Sequence, residues 1–173
     1  MDLEQLKYPI GRFIMPEVVD GVQIREWISE IESLPEKIKQ ATAGLTAEQL
    51  NQSYRPGGWT LRQVVHHIPD SHMNAYMRFK LALTEDVPVI RPYEEKRWAE
   101  TAEAKTGAIQ MSVDLLISLH QRWVALLRGL HNPDFQRRYI HPEHRKELNL
   151  EHMLGMYAWH GKHHLAQITN TKF

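Results

Sequence analysis

Two histidine-bearing segments decide the fold expected of this chain: GWTLRQVVHHIPD at residues 58–70 and YAWHGKHHLAQI at residues 157–168. In the second segment, His160 and His164 are four residues apart, which on an α-helix places both imidazoles on one face, one turn apart. Two such imidazoles can bind one divalent metal ion, and a third imidazole from another helix completes an open three-histidine site. The spacing therefore favours a helical protein with a metal site between two helices.

Length and composition narrow the class of protein. The 173 residues fit one domain of ordinary size, so residues 1–173 are expected to form a single domain. The 21 basic and 21 acidic residues balance, which gives no electrostatic reason to expect nucleic acid or an anionic membrane as a partner. The absence of cysteine excludes disulfides, thiolate zinc sites and a cysteine nucleophile.

The N-terminus lacks the basic and apolar regions of a signal peptide, and no apolar run approaches the roughly 20 residues needed to cross a bilayer. A soluble, intracellular protein is therefore expected.

Apolar residues recur at three- and four-residue spacing in four long segments, which predicts four amphipathic helices. The segments are residues 22–42, about six turns from Thr60 to Leu83, 109–130, and 150–168, the last capped by Asn149. Capping-box patterns predict that a short helix begins at Thr46 and a long helix at Thr60. Pro35 is expected to kink or split the first long helix, and Pro69 to bend the second.

The connections between these helices are long. A short helix is expected around residues 94–100, and residues 131–148 are expected to be loop with some extended or turn structure. No alternating pattern is long enough to predict a sheet. The sequence therefore predicts an all-α four-helix bundle whose long loops line a binding site.

The histidines on the predicted helices differ in position. His160 and His164 lie in the apolar stripe of the last helix, where two hydrogen-bonded core histidines are the alternative to metal ligands. Gly161, on the same stripe, allows close approach by another helix or a ligand.

His66 and His67 flank the stripe of their helix on opposite sides. The side of His67 carries small polar residues, namely Thr60, Ser71 and Asn74, whereas the side of His66 carries Arg62 and Lys80, which is typical of solvent. His67 is therefore favoured as the inward ligand.

The remaining histidines are interpreted as structural. His120, in the middle of the third stripe, is expected to be a core or supporting residue and is the chief rival ligand, and His72 is expected in the core. The others are expected at the surface, namely His131, His141, His144, His152 and His163.

Several motifs together carry a family resemblance. The patterns WTxxQVVxHIxD at 59–70 and HxxxHxxQI at 160–168 resemble the DinB-like metalloprotein superfamily. The strings YPIGRF at 8–13, YRPGGW at 54–59 and MYAWH at 156–160 resemble its YfiT branch, metal-dependent hydrolases of Bacillus-type bacteria. The match covers nearly the whole chain, and Pro69, where alanine is more usual, is a departure close to a motif histidine.

The resemblance implies a four-helix bundle, a cytoplasmic homodimer and one zinc or nickel ion per chain. Carried over by motif position, the ligands are His67, His160 and His164. The implied partner is a small-molecule substrate, which includes the option of a low-molecular-weight thiol.

An open three-histidine site leaves three functions to consider. The first is a hydrolase whose metal activates water. The second is a transferase that activates a thiol of the bacillithiol type, as in related DinB-like proteins. The third is a non-catalytic metal-binding stress protein, which the open site disfavours because structural zinc usually has four protein ligands.

Asp70, one turn from His67, is a weak candidate for orienting a ligand or acting as a base, with capping or a surface salt bridge as the alternative. Gln167 is a weaker supporting candidate.

Overall fold

The computed structural model describes residues 2–143 and 146–173. In chain order its elements are α1 (Leu3–Lys7), α2 (Gly21–Thr42), α3 (Ala47–Leu50), α4 (Leu61–Thr84), α5 (Glu95–Trp98), α6 (Ala102–Thr106), α7 (Ile109–Arg128), α8 (Asn132–Phe135), β1 (Arg138–His141), β2 (Lys146–Asn149) and α9 (Leu150–Thr169).

Three of the four long helices begin at side-chain caps, and the sequence predicted those of α4 and α9. The Asp20 carboxylate accepts hydrogen bonds from the first turn of α2, Thr60 and Gln63 form a reciprocal capping box at α4, and Asn149 caps α9. Thr46 likewise caps α3. Side-chain oxygens thus satisfy backbone N–H groups that have no partner within the helix.

The long helices pack as a four-helix bundle, which confirms the predicted fold. Helix α2 packs against α7 and α9, and α4 packs against the same two helices, so that the four enclose one interior. Large apolar side chains fill it, among them Trp123, Phe79, Ile31, Ile38, Leu61, Ile68, Leu116 and Leu154. Their removal from water is the main stabilising contribution expected for such a bundle.

The two prolines do not divide their helices. Pro35 lies within the continuous helix α2, so the option of a split helix is wrong, and Pro69 lies within α4. Both helices keep their apolar faces in the core, where packing compensates for the missing backbone donor.

The connection before α9 contains more structure than the sequence predicted. Strands β1 and β2 pair antiparallel, with Arg138 opposite Asn149, and Ile140 also exchanges backbone hydrogen bonds with the 88–90 segment. The expectation of no sheet was wrong because four-residue strands are too short for alternation to be recognised. In the described ranges, no helix has the length and hydropathy needed to cross a bilayer.

Candidate metal centre

Three histidines from two helices meet at one side of the bundle. His67 belongs to α4, and His160 and His164 lie one turn apart on α9. The Nε2 atom of His160 lies 3.3 Å from Nε2 of His67 and 3.2 Å from Nε2 of His164. A candidate ligand atom from each residue lies within 4.8 Å of the other two. The structure thus brings together the three histidines that the sequence singled out.

The two distances from His160 Nε2 match the edges of a tetrahedron around a metal ion. Zinc–imidazole bonds of about 2.0–2.1 Å in tetrahedral geometry separate the ligand nitrogens by about 3.3–3.4 Å. Burial, followed by the nearby His163, lowers the pKa of His67 to about 4, and burial holds the pKa values of His160 and His164 well below 6.5. The imidazoles are therefore neutral at pH 7, the form that binds metals.

A hydrogen-bonded series of histidines behind His160 fixes its tautomer. The Ile31 carbonyl can only accept, so His120 Nδ1 donates to it at 2.6 Å. Burial lowers the pKa of His120 to about 4, so this imidazole is neutral and its Nε2 accepts from His72 Nδ1 at 2.9 Å. His72 Nε2 then accepts from His160 Nδ1 at 3.1 Å. His160 Nε2 is left with a free lone pair that faces the other two histidines. We call His160, His72, His120 and the Ile31 carbonyl the four-helix network, because each lies on a different long helix.

Pro35 explains why the Ile31 carbonyl is free to accept. In an α-helix this oxygen would bind the N–H of the residue four positions later, which is position 35. Proline has no N–H, so the position left open in the helix ladder is filled by His120.

A shorter network fixes the tautomer of His164. The Lys7 carbonyl accepts from Gln167 Nε2 at 3.3 Å, which orients the side-chain amide. Gln167 Oε1 therefore faces His164 Nδ1 at 2.8 Å, and this nitrogen must donate. We call His164, Gln167 and the Lys7 carbonyl the Gln167 network.

The tautomers fixed by the two networks indicate whether a cation fits between His160 and His164. His160 Nε2 and His164 Nε2 both present lone pairs at 3.2 Å, with no hydrogen left to lie between them. Two lone pairs at that distance repel each other, and a cation that binds both removes the repulsion. The donor set and its protonation therefore suit a divalent metal ion.

The structure separates the rival histidines from the cluster. His120 is buried two hydrogen bonds behind His160, and His72 is the residue between them, as the core interpretation predicted. The sequence did not link these two residues. The available signal was a pair of histidines on apolar stripes, because buried imidazoles need partners.

His66 is buried, and its predicted position on a solvent-facing side was wrong. Its Nδ1 pairs with the Ser112 hydroxyl at 2.7 Å, and its Nε2 lies 3.3 Å from the Gly107 carbonyl. Arg62 is buried on the same side and donates to Gly107 O at 2.7 Å. The segment that enters α7 covers this side of α4, which helix periodicity alone does not reveal.

His163 is also buried, and its predicted surface position was wrong. It stacks on Trp159 at 4.7 Å between ring centroids and lies 5.8 Å from the Tyr8 ring. The N-terminal segment causes this burial, since Tyr8 covers His163 and the Gly11 carbonyl accepts from the Trp159 indole.

The remaining histidines lie away from the cluster. His131 is exposed as predicted, whereas His141 and His152 are half-buried beside a cavity, so their predicted surface position was only partly right. His144 lies outside the described residues.

Asp70 is not brought to the cluster. In the part of the chain that the structure describes, its carboxylate makes no hydrogen bond to a histidine, and its backbone carbonyl accepts from Asn74. Burial, followed by the charge of Glu103, raises the pKa of Asp70 to about 6. Its catalytic role stays a prediction.

The cluster opens into a cavity of about 710 Å³ between the bundle and its long connections. All three cluster histidines line it, together with Tyr8, Trp59 and Trp159. A volume of this size accepts a small organic molecule. Glu95 and Lys96 of the connection between α4 and α7 also line it, so this connection forms part of the cavity wall, and its role in binding stays a prediction.

Comparisons with known proteins agree with this geometry. Residues 26–168 match the DinB superfamily. The chain is 50% identical to "Putative metal-dependent hydrolase YfiT" of Bacillus subtilis over 95% of this chain and 92% of that protein. It is 51% identical to a protein of the same description from Oceanobacillus iheyensis, over 95% and 94% of the two chains.

A solved structure of YfiT from Bacillus subtilis superposes with a TM-score of 0.94 at 49% identity, covering 96% of this chain and 95% of that one. It is described as a "probable metal-dependent hydrolase with an unusual four-helix bundle topology". Sequence and fold therefore agree over nearly the full length, and the chain belongs to the DinB superfamily.

Proposed function

We propose that the protein is a metal-dependent hydrolase in which His67, His160 and His164 bind one zinc or nickel ion that activates water. The observation that carries the proposal is the convergence of three imidazole Nε2 atoms, with neighbouring distances of 3.2 and 3.3 Å, on a cavity wall. The descriptions of the relatives as metal-dependent hydrolases support it.

A divalent ion at this position would supply Lewis-acid activation of water near neutral pH. The protein's own contribution is to present three neutral imidazoles, two of them held by the four-helix and Gln167 networks. Three protein ligands are typical of catalytic zinc, whereas four are typical of structural zinc. Ser71 places a hydroxyl 3.5 Å from His160 Nε2, where it can hydrogen-bond a reacting molecule.

The test starts with metal content. Elemental analysis of protein purified without a polyhistidine tag should give about one zinc or nickel ion per chain, and values near zero for His67→Ala, His160→Ala and His164→Ala. His131→Ala, at an exposed histidine, is the matched control and should keep the metal. Full metal retention by His67→Ala would contradict the ligand assignment.

Activity is then measured on the metal-loaded protein. A panel of chromogenic esters and amides should be hydrolysed, and the rate should follow metal content across the variants. Turnover only with bacillithiol and an electrophile such as monochlorobimane would instead identify a thiol transferase. A fully loaded protein inactive in both assays would identify a metal-binding protein without catalysis.

A homodimer and a cytoplasmic location also stay proposals based on the family resemblance. Light scattering coupled to size exclusion tests the first, and cell fractionation tests the second.

A further inference from the structure

A second cavity, of about 510 Å³, lies on the other side of His160. Its walls include Ser71 and Arg78 from α4, Tyr157 from α9, and Tyr93 and Tyr139 from the long connections. Ser71 connects the two sites, because it lines this cavity and its hydroxyl lies 3.5 Å from His160 Nε2. A molecule in this cavity can therefore reach the histidine cluster.

Arg78 lies half-buried in this cavity without an acidic partner. Its Nη2 donates to the Arg91 carbonyl at 3.1 Å, whereas its Nε is buried with no hydrogen-bond partner in the described ranges. None of the salt bridges of the described residues includes it. A guanidinium stays charged at any physiological pH, so a partly buried one without an anion is unfavourable and is stabilised by an anionic ligand.

The tyrosines around Arg78 add donors rather than negative charge. The Tyr93 hydroxyl is buried beside Ser71 and has no other hydrogen-bond partner among the described residues. Burial raises the pKa values of Tyr93, Tyr139 and Tyr157, which keeps all three phenols protonated. The acidic residues of the cavity are exposed at its rim, namely Glu94, Glu95 and Glu143. The buried wall thus combines one cation with neutral hydrogen-bond donors.

We propose that this cavity binds the carboxylate of a small organic substrate through Arg78 and Tyr93. The single positive charge of the guanidinium balances one negative charge, since the phenols are neutral. The planar N–H groups of the guanidinium match the two oxygens of a carboxylate. The substrate of the proposed hydrolase would then carry a carboxylate in this cavity, with its reactive bond extending towards His160. This assignment rests on the proposed function. The volume suits a ligand of drug size or smaller.

Benzoate and its neutral analogue benzamide test the proposal, because they share a shape and differ in charge. Binding of each to the full-length protein is followed by NMR chemical-shift titration, with and without metal. Benzoate should bind in both states and more tightly than benzamide. Arg78→Gln should lower the affinity for benzoate at least about tenfold, since a charge-assisted hydrogen bond is lost. The affinity for benzamide should not change.

Two further variants define the role of each group. Arg122→Gln, at an exposed arginine outside both cavities, is the matched control and should not change either affinity. Tyr93→Phe should weaken benzoate about three- to tenfold, as expected for one neutral hydrogen bond. Thermal unfolding of each variant verifies that it is folded.

Three outcomes would overturn the proposal. They are unchanged benzoate binding by folded Arg78→Gln, benzoate binding only in the presence of metal, and tighter binding of phenyl phosphate than of benzoate. The metal-free titration separates this proposal from the hydrolase proposal, because it needs neither the ion nor turnover. Carboxylate binding without hydrolysis contradicts only the hydrolase, and hydrolysis without an effect of Arg78 contradicts only the carboxylate site.

Discussion

The four-helix network and the Gln167 network give His160 and His164, two histidines of the proposed metal site, the same tautomer in different structural settings. The first joins α9, α4, α7 and α2 through the buried imidazoles of His72 and His120 and ends on the Ile31 carbonyl. The second stays within one turn of α9 and ends on the Lys7 carbonyl in the N-terminal segment. A defect in the first should therefore affect both bundle stability and metal affinity, and a defect in the second mainly metal affinity.

Lowering the pH is expected to reduce the stability of the folded protein most, since protonation of the histidines disrupts both networks. An unfolded histidine has a pKa of about 6.5, whereas burial lowers the pKa values of His67, His120 and His163 to about 4 in the folded protein. Below pH 6.5 the unfolded state therefore binds protons that the folded state does not, and stability falls with falling pH. Each such histidine costs about 2 kcal/mol at pH 5.

Several histidines together cost as much as the total stability of an ordinary domain, about 5–15 kcal/mol. Metal-free protein should consequently unfold between about pH 6 and pH 5, as measured by circular dichroism. A bound divalent ion should shift this transition to lower pH, because it binds only the folded, unprotonated site. A metal-free protein that is still fully folded at pH 4 would contradict the prediction.

His120→Leu should have the next largest effect, because it breaks the four-helix network at its centre. The change leaves the Ile31 carbonyl and His72 Nδ1 without partners in the core. We expect a loss of about 2–4 kcal/mol in the free energy of unfolding, measured by urea titration. Affinity for Co²⁺, measured by competition with a chelator, should fall about 10- to 100-fold.

His120→Gln is the conservative comparison, since its amide can donate to Ile31 and accept from His72. It should recover part of both losses. If His120→Leu lowers stability and leaves the Co²⁺ affinity unchanged, His120 only packs in the core and the network does not hold His160.

Gln167→Leu should affect the metal site more than the bundle. His164 Nδ1 loses its acceptor, so the Co²⁺ affinity should fall about tenfold. The free energy of unfolding should fall by only about 1 kcal/mol. Gln167→Glu keeps an acceptor for His164 and should retain Co²⁺ affinity within about threefold. Equal weakening by Leu and Glu would show that the donors of Gln167, rather than its oxygen, position the site.

The difference between the two networks also explains what the sequence could predict. Residues four apart on one helix have a fixed relation, so His160 and His164 could be paired from spacing alone. His67 could be favoured from its polar neighbours on α4. The long helices and the caps at Thr60 and Asn149 were predicted for the same reason, because periodicity and capping are local properties.

Contacts between helices were beyond that reasoning. The link from His160 to His120 depends on how α4, α7 and α9 pack, and Pro35 was interpreted only as a kink or a break in α2. Its effect is chemical, since the missing N–H frees the Ile31 carbonyl for His120. His66 and His163 were misplaced for a similar reason, because the segments that cover them come from distant parts of the sequence.

Substitution of Asp70 is expected to change stability and metal affinity least. Asp70 lies between His67 and His72 on α4 and joins neither network. Its pKa of about 6 in the folded protein exceeds the unfolded value of about 3.9, so the unfolded state releases its proton first. Ionisation therefore destabilises the fold as pH rises from 4 to 6, and the cost is constant above that range. Asp70→Asn removes this cost and should stabilise the protein by about 1 kcal/mol at pH 8, after allowance for the partial exposure of Asp70.

At pH 5.5, where bound metal keeps the protein folded, the stabilisation should be about a third smaller, because Asp70 is then largely protonated in the folded protein. Asp114→Asn, at an exposed aspartate on α7, is the matched control and should change stability little at either pH. Urea titrations of the metal-loaded protein at pH 5.5 and pH 8 measure both variants, and no stabilisation by Asp70→Asn at pH 8 would contradict the assigned ionisation. Because Asp70 contacts neither network, Co²⁺ affinity should stay unchanged. A loss of affinity in Asp70→Asn would instead make this carboxylate part of the metal site, the role that its position one turn after His67 first suggested.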